Sequence, residues 1–176
     1  MDKELWQKAV DFHGHACPGL AMGFRAVEGA KDRLHLGSSS DEEIVCVSEN
    51  DACCVDAIQA LLSCTVGKGN LIFKETGKMA FSFFNRNNGE KIRLVLKIQN
   101  SNLPKEKFME QILKAPLNEI FDFKTPNFDL PQKAQIFNTV ICEICGEGAP
   151  EHKIRLQNGK KVCLDCFKDY SRTIKF

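Results

Sequence analysis

Charge of one sign is what this sequence lacks most clearly. Its 24 lysines and arginines face 23 acidic residues, leaving a net charge of +1 over 176 residues. No global field therefore draws the chain to nucleic acid or to an anionic membrane surface. Long apolar runs are missing as well: nothing approaches the roughly 20 residues that a bilayer span requires. The opening Met1-Asp2-Lys3-Glu4-Leu5-Trp6 is amphipathic and charged, without the apolar stretch of a secretory signal. These absences point to a cytoplasmic protein with no membrane partner. No internal repeat and no low-complexity tract is present. Hydrophobic residues make up 43% and charged residues 27%, an ordinary globular composition. The length suits one compact domain with a small appendage.

Nine cysteines are present, an odd number, and reducing compartments keep thiols free, which argues against a disulfide framework. Their placement separates two chemistries. Cys142-Glu143-Ile144-Cys145 and Cys163-Leu164-Asp165-Cys166 form two CxxC pairs with 17 residues between them (146 to 162). Four thiolates at this spacing predict one structural zinc, closed off from water. Gly146 permits the tight turn after the first pair. Lys153 to Val162, with Asn158-Gly159 at its middle, reads as a hairpin, and the second pair is expected to open a helix carrying Phe167 and Tyr170. Knuckle, hairpin and helix together resemble a treble-clef finger. So small a segment buries little core, and zinc coordination would supply most of its folding free energy. Residues 142–176 hold seven basic and five acidic residues. That excess is too small to argue for nucleic acid, and it favours a docking or stabilising role for the finger.

The rest of the chain reads as an α+β domain. A short helix is expected over residues 4–11 and a second from Pro18, a suitable first helical residue, to about Leu34. Ser38-Ser39-Ser40-Asp41 is a polar loop, Ile44-Val45-Cys46-Val47 a buried strand, and Cys54 to Leu62 a third helix. An antiparallel meander is expected over Leu71–Phe73, Met79–Phe84 and Ile92–Ile98, with a turn at Asn87-Asn88-Gly89. Pro104 can start a helix through Leu113. Residues 114–141, with Pro116, Pro126 and Pro131 among Phe121, Phe123, Phe128 and Phe137, read as a strap packed on a surface. The organisation is thus a core over residues 1–135 and a zinc finger over 136–176.

The remaining chemistry lies near the start. In Phe12-His13-Gly14-His15-Ala16-Cys17-Pro18-Gly19, three borderline-soft ligands alternate. Cys17 directly precedes a helix start, where amides and the helix dipole stabilise a thiolate. Asn50-Asp51-Ala52-Cys53-Cys54-Val55-Asp56 repeats the device, with Cys53 at a helix start and Asp56 in the first turn. After that helix come Cys64-Thr65-Val66-Gly67-Lys68-Gly69-Asn70, where glycines allow close backbone approach and Lys68 could meet an anion. This is not a P-loop, since GxxxxGK[ST] is absent. Cys46 reads as an apolar residue within its strand.

Phe12-His13-Gly14-His15 with Cys17-Pro18-Gly19, then Asp56-Ala57-Ile58-Gln59, then Cys64-Thr65 with Gly67-Lys68-Gly69-Asn70, resembles the FmdE family over roughly residues 5–125. That family is named for the FmdE component of formylmethanofuran dehydrogenase in methanogenic archaea and also occurs in anaerobic bacteria. The resemblance implies an α+β core, in some members followed by a C-terminal zinc finger. It also implies a polar site including His13, His15, Cys17, Cys53, Asp56, Cys64, Lys68 and Asn70. It does not import dehydrogenase activity. The reading that follows is a metal-binding protein whose His13, His15, Cys17 and Cys53 hold a second transition metal, with Cys64, Lys68 and Asn70 toward a ligand. Such mixed donors suit zinc, iron, nickel or copper better than magnesium. An accessory role beside a molybdenum or tungsten redox enzyme, and a homodimer, are expected. Two alternatives stand beside it. One is a thiol- or metal-dependent enzyme on a small anionic substrate, with Cys17 or Cys53 as nucleophile, His15 or Asp56 as acid/base and Lys68 as anion stabiliser. The other is an interaction protein whose finger docks a partner.

Overall fold

The computed structural model describes residues 2–97 and 102–170. It divides into two compact units, Met1–Ala134 and Gln135–Phe176.

In the first unit, helix α1 (Lys3–His13) starts at Asp2, whose carboxylate accepts from the amides of Glu4 and Leu5. It ends at Gly14, in the left-handed conformation (φ 90°), which reverses the chain sharply. Helix α2 (Pro18–Leu34) begins at the expected proline, and α3 spans Cys54–Leu62. Strands β1 (Ile44–Ser48), β2 (Leu71–Phe73), β3 (Ala80–Asn85), β4 (Lys91–Leu96) and β5 (Phe121–Lys124) form one sheet in the order β2-β1-β3-β4-β5. Helices α4 (Lys105–Lys114) and α5 (Leu117–Ile120) lie between β4 and β5 in the chain.

The sheet differs from the expected meander. β1 inserts between β2 and β3, pairing parallel with β2 (Cys46 opposite Leu71) and antiparallel with β3 (Cys46 opposite Phe83). Every residue of β1 is buried, as befits a strand with neighbours on both sides. β1, α3 and β2 therefore form a single parallel crossover within an otherwise antiparallel sheet. Residue 98, the expected end of β4, lies outside the described residues. The Phe-rich segment also splits. Phe121 and Phe123 belong to β5, an edge strand paired with β4, and pack in the main core. The strap proper starts later: Phe128 and Leu130 rest on Val45, Val47 and Phe84 on the other face of the sheet, and Pro131 and Ala134 are tied to Arg86 and Glu42.

The main core joins α1, α2 and α3 to one face of the sheet through Phe24, Ile58, Leu62, Phe81, Phe83 and Leu94, none of them exposed. Each such side chain contributes about 1.5–3 kcal/mol on burial. α2 and α3 approach unusually closely. A Cβ on Gly23 would lie 2.1 Å from the carbonyl oxygen of Cys54, so only glycine admits this crossing.

The second unit has strands β6 (Thr139–Ile141), β7 (Gly148–Pro150), β8 (Ile154–Gln157) and β9 (Lys160–Cys163). β8 and β9 form the expected hairpin, turned by Asn158 and Gly159, both at positive φ (52° and 76°). The expected helix after the second CxxC pair is not formed among the described residues, where Leu164–Cys166 is a turn and residues 167–170 are irregular. The Gln157 side chain explains this. Its amide donates to the carbonyl of Lys168 (2.6 Å) and its oxygen accepts from the amide of Lys168 (3.1 Å), occupying both backbone groups that a helix would use.

Candidate metal centres

Three helix ends converge in the first unit: the last residue of α1, His13, and the residues capping the starts of α2 and α3, Cys17 and Cys53. One donor atom of each lies within 4.8 Å of the other two. His13 Nε2 stands 3.8 Å from Cys17 Sγ, close to the roughly 3.6 Å expected of a nitrogen and a sulfur sharing a tetrahedral zinc-like ion. The other ring nitrogen, Nδ1, is 2.7 Å from Asp56 Oδ2. A carboxylate only accepts, so Nδ1 carries the proton and Nε2 presents its lone pair toward the sulfurs. Gln59 Nε2 donates to the second Asp56 oxygen (3.2 Å), holding the carboxylate in place.

The sequence places these atoms through local devices. Gly14 turns the chain back after His13. Cys17 adopts extended backbone and its sulfur accepts the amide of Leu20 at 3.3 Å, so it is an N-cap by side chain as well as by position. Gly19, one helical turn before Gly23, faces both thiols: a Cβ there would sit 3.1 Å from Cys53 Cβ and 3.9 Å from Cys17 Sγ. Neither glycine stands out among the sequence motifs as a site residue, and their i, i+4 spacing on one helix is the signal that could have found them.

Cys53 departs from the expectation that both helix starts depress their thiols. It lacks a side-chain cap bond. Burial pushes its thiol up, and the neighbouring Cys17 and the Asp56 carboxylate push it further. A bound cation would reverse those last two effects. Three protein donors leave an open coordination side, and the donor chemistry fits a borderline-soft metal. His15 is not a fourth donor in this set. Its ring stacks on that of His13 (centroids 4.5 Å apart) and lines a cavity of about 180 Å³ with Cys17, Pro18, Lys105, Glu106 and Met109.

Cys64, Lys68 and Asn70 do not join this cluster. They follow the opposite end of α3, whose nine residues span about 13 Å, and each is engaged in the framework. Asn70 is fully buried. It accepts from Thr65 N (2.9 Å), and its amide donates to Ile44 O (2.9 Å) and Asp41 O (3.2 Å). Lys68 Nζ donates to Ser39 O (2.9 Å). Cys64 donates to Ile44 O, and burial pushes its thiol up to about 12. The Gly-Lys-Gly turn thus fastens the loop before β1 to the start of β2. Cys54 is structural too. It is fully buried, its thiol pushed up to about 12 by burial, and it donates to Asn50 Oδ1 at 3.0 Å.

In the second unit the sulfurs of Cys142, Cys145, Cys163 and Cys166 all lie within 4.8 Å of one another. Cys145 and Cys163 are 3.9 Å apart, against about 3.8 Å for two sulfurs on one tetrahedral zinc. Backbone amides of Cys145, Cys163 and Ile144 aimed at Cys142 hold its thiol down to about 6, while the crowding sulfurs of Cys163 and Cys145 push Cys166 up to about 12. The donors fit a structural zinc.

The model of the family described as "FmdE, Molybdenum formylmethanofuran dehydrogenase operon" matches residues 12–122, well over half of the chain. The chain belongs to the FmdE family. Residues 135–172 match a second model, the prokaryotic dksA/traR C4-type zinc finger. This FmdE-family protein is similar to a solved tungsten formylmethanofuran dehydrogenase FmdE-like protein from Syntrophus aciditrophicus. The two share 25% identity and a TM-score of 0.72, over 93% of this chain and 90% of that one. It is also 27% identical to a protein of Archaeoglobus fulgidus described as "Probable S-adenosyl-L-methionine-binding protein", over 94% of this chain. The chain spans about half (53%) of that relative's length. No described helix is long and apolar enough to cross a membrane.

Proposed function

We propose that this FmdE-family protein binds a transition metal in its core through His13, Cys17 and Cys53, and serves as an accessory to a molybdenum or tungsten redox enzyme. The observation that carries the metal reading is the continuous line from Asp56 through His13 to Cys17, with contacts of 2.7 and 3.8 Å. Asp56 orients the imidazole, Leu20 N–H supports the Cys17 thiolate, and His15 with Met109 lines the cavity beside Cys17. A metal held there would supply a Lewis-acidic centre able to accept one further ligand. The molybdenum enzyme in the family's description and the tungsten enzyme for which the Syntrophus relative is named support an association with formylmethanofuran-type redox enzymes. On this reading the protein works in the cytoplasm, as a dimer, beside such an enzyme, with its finger in a structural role.

Element-resolved metal analysis of anaerobically purified full-length protein tests it. Two metals per chain are expected. Cys17→Ser or Cys53→Ser should remove the core metal and leave the finger's zinc, while Cys145→Ser should do the reverse. Unchanged metal content in both core variants would overturn the proposal. A second reading has its own observation. Cys17, His13 and Asp56 also have the order of a nucleophile, base and orienting carboxylate, beside a cavity where Lys105 could meet a small anionic substrate. It would stand if the core held no metal and Cys17 reacted selectively with a thiol-directed electrophile. In this arrangement His13, rather than His15 or Lys68, is the side chain in reach of the thiol.

A further inference from the structure

The face of the sheet away from the helices changes character along its length. At one end Val45, Val47 and Phe84 pack beneath Phe128 and Leu130. At the other, Lys74, Lys78, Arg93 and Lys124 surround a cavity of about 270 Å³. Among the described residues Glu49 is the one carboxylate lining it, and it is already committed. Only 3% exposed, it receives Arg93 Nε at 2.6 Å, Arg93 Nη2 at 3.0 Å and the Thr76 hydroxyl at 3.1 Å. Four cations against one carboxylate leave three positive charges around one small space, in a chain whose total is +1. Arg93 and Lys124 are directly opposed across β4 and β5, so the Lys124 ammonium adds its charge beside a guanidinium whose carboxylate is already shared.

The cavity is built rather than incidental. The Lys74 amide donates to Ser48 O (2.8 Å), and the Lys78 carbonyl accepts from Ala80 N (2.8 Å) and Asn50 Nδ2 (3.0 Å), so the loop presenting these lysines is tied to the sheet. Glu49 clamps the Arg93 guanidinium in one orientation. Phe128 supports the Lys74 ammonium 4.3 Å above its ring. Lys78 and Lys124, by contrast, have ammonium groups without a partner among the described residues. Thr125 and Asn127 add neutral donors at the rim.

We propose that this pocket binds a small multivalent oxyanion, a free phosphate or the phosphate group of a small metabolite, between Lys74, Lys78, Arg93 and Lys124. Arg93 is the fixed positive wall, and the exposed lysines close on the anion by charge-assisted hydrogen bonds. The volume lies just below the usual range of small-molecule sites and suits one oxyanion group with a short organic body. The site shares no lining residue with the proposed metal cluster and does not rest on it.

Amide-resolved NMR titration of the full-length zinc-loaded protein, at constant ionic strength set with chloride, tests this. Inorganic phosphate and glycerol 3-phosphate are the two probes. Saturable shifts are expected at Lys74–Lys78, Arg93 and Lys124, and they should persist in Cys17→Ser. Tighter binding of glycerol 3-phosphate would assign the site to phosphomonoesters, and equal binding to the oxyanion alone. Lys78→Gln with Lys124→Gln changes two exposed side chains whose ammonium groups have no partner among the described residues, leaves their backbone bonds intact, and should weaken binding by at least about tenfold. No saturable shift with either probe, or equal affinity in the double variant, would overturn the proposal.

Discussion

Asp56→Asn separates the charge of the carboxylate from its shape, and the structure sets what should follow. In the native protein both carboxylate oxygens accept: Oδ2 from His13 Nδ1 at 2.7 Å and Oδ1 from Gln59 Nε2 at 3.2 Å. An asparagine offers one oxygen and one NH₂, so one of those donors must face another donor. If the oxygen keeps His13, Gln59 swings away and the ring loses its second support. If it keeps Gln59, the NH₂ meets Nδ1, and the ring flips or takes the wrong tautomer. Loss of a carboxylate behind a ligating histidine typically costs 10- to 100-fold in metal affinity, about 1.4–2.7 kcal/mol. Asp56 also sits in the first turn of α3, where losing its charge costs roughly 0.3–1 kcal/mol of stability. The variant should therefore stay folded, lose at most a few degrees of Tm, and bind the core metal 10- to 100-fold more weakly in a chelator competition. The finger's zinc, in the other unit, provides the internal control. Core affinity within about threefold of wild type would refute the view that Asp56 acts through His13 on a metal.

Three further outcomes are expected. Gly23→Ala places a Cβ 2.1 Å from a backbone oxygen, which cannot swing aside as a side chain would. The α2–α3 crossing must open at a cost of about 3 kcal/mol or more, read as a Tm fall of roughly 6–12 °C with weakened core metal binding as Cys53 moves off. A normal Tm would show that the crossing tolerates the methyl. Backbone amides of Glu43, Ser40 and Asp41 hold the Glu43 carboxyl down to about 2, against an ordinary value of 4.5. A depressed acid stabilises the fold above its unfolded value and loses that contribution as pH falls through its folded one. Glu43→Gln should thus lower stability at pH 7 and converge with wild type between pH 4.5 and 2, and a constant difference across that window would contradict a stabilising role for these loop hydrogen bonds. A chain ending at residue 135 should fold without the finger, since the elements that bury the main core all precede that point; an aggregated product would place the boundary elsewhere.

What the sequence made legible was local. Pro18 and the Cys53-Cys54 helix start mark α2 and α3 through proline and helix-start geometry that involve only a few consecutive residues, while the Asp2 cap of α1 emerged only in the structure. The convergence of His13, Cys17 and Cys53 followed from helix starts bearing like chemistry, and Asn158-Gly159 marked its hairpin by demanding positive φ. Strand order was hidden, because Leu71–Phe73 has the same pattern whether it pairs with β3 or, as found, beside β1. Phe121 and Phe123 alternate as a strand should, but the prolines around them obscured it. The Gly-Lys-Gly turn shows the limit most sharply. A lysine between glycines has the same local look whether it cradles an anion or ties Ser39 to the sheet, and the length of α3 sets how far it stands from the cluster at the start of that helix. The cationic pocket is the converse case. Lys74, Lys78, Arg93 and Lys124 span 51 positions of sequence with no motif, and each alone reads as a solvated surface charge. Strand pairing sets Arg93 against Lys124, and the loop anchored on Ser48 brings the other two. Charge that is balanced along the chain can therefore be concentrated in space, so a net charge of +1 excludes a globally steered partner without excluding an anion site.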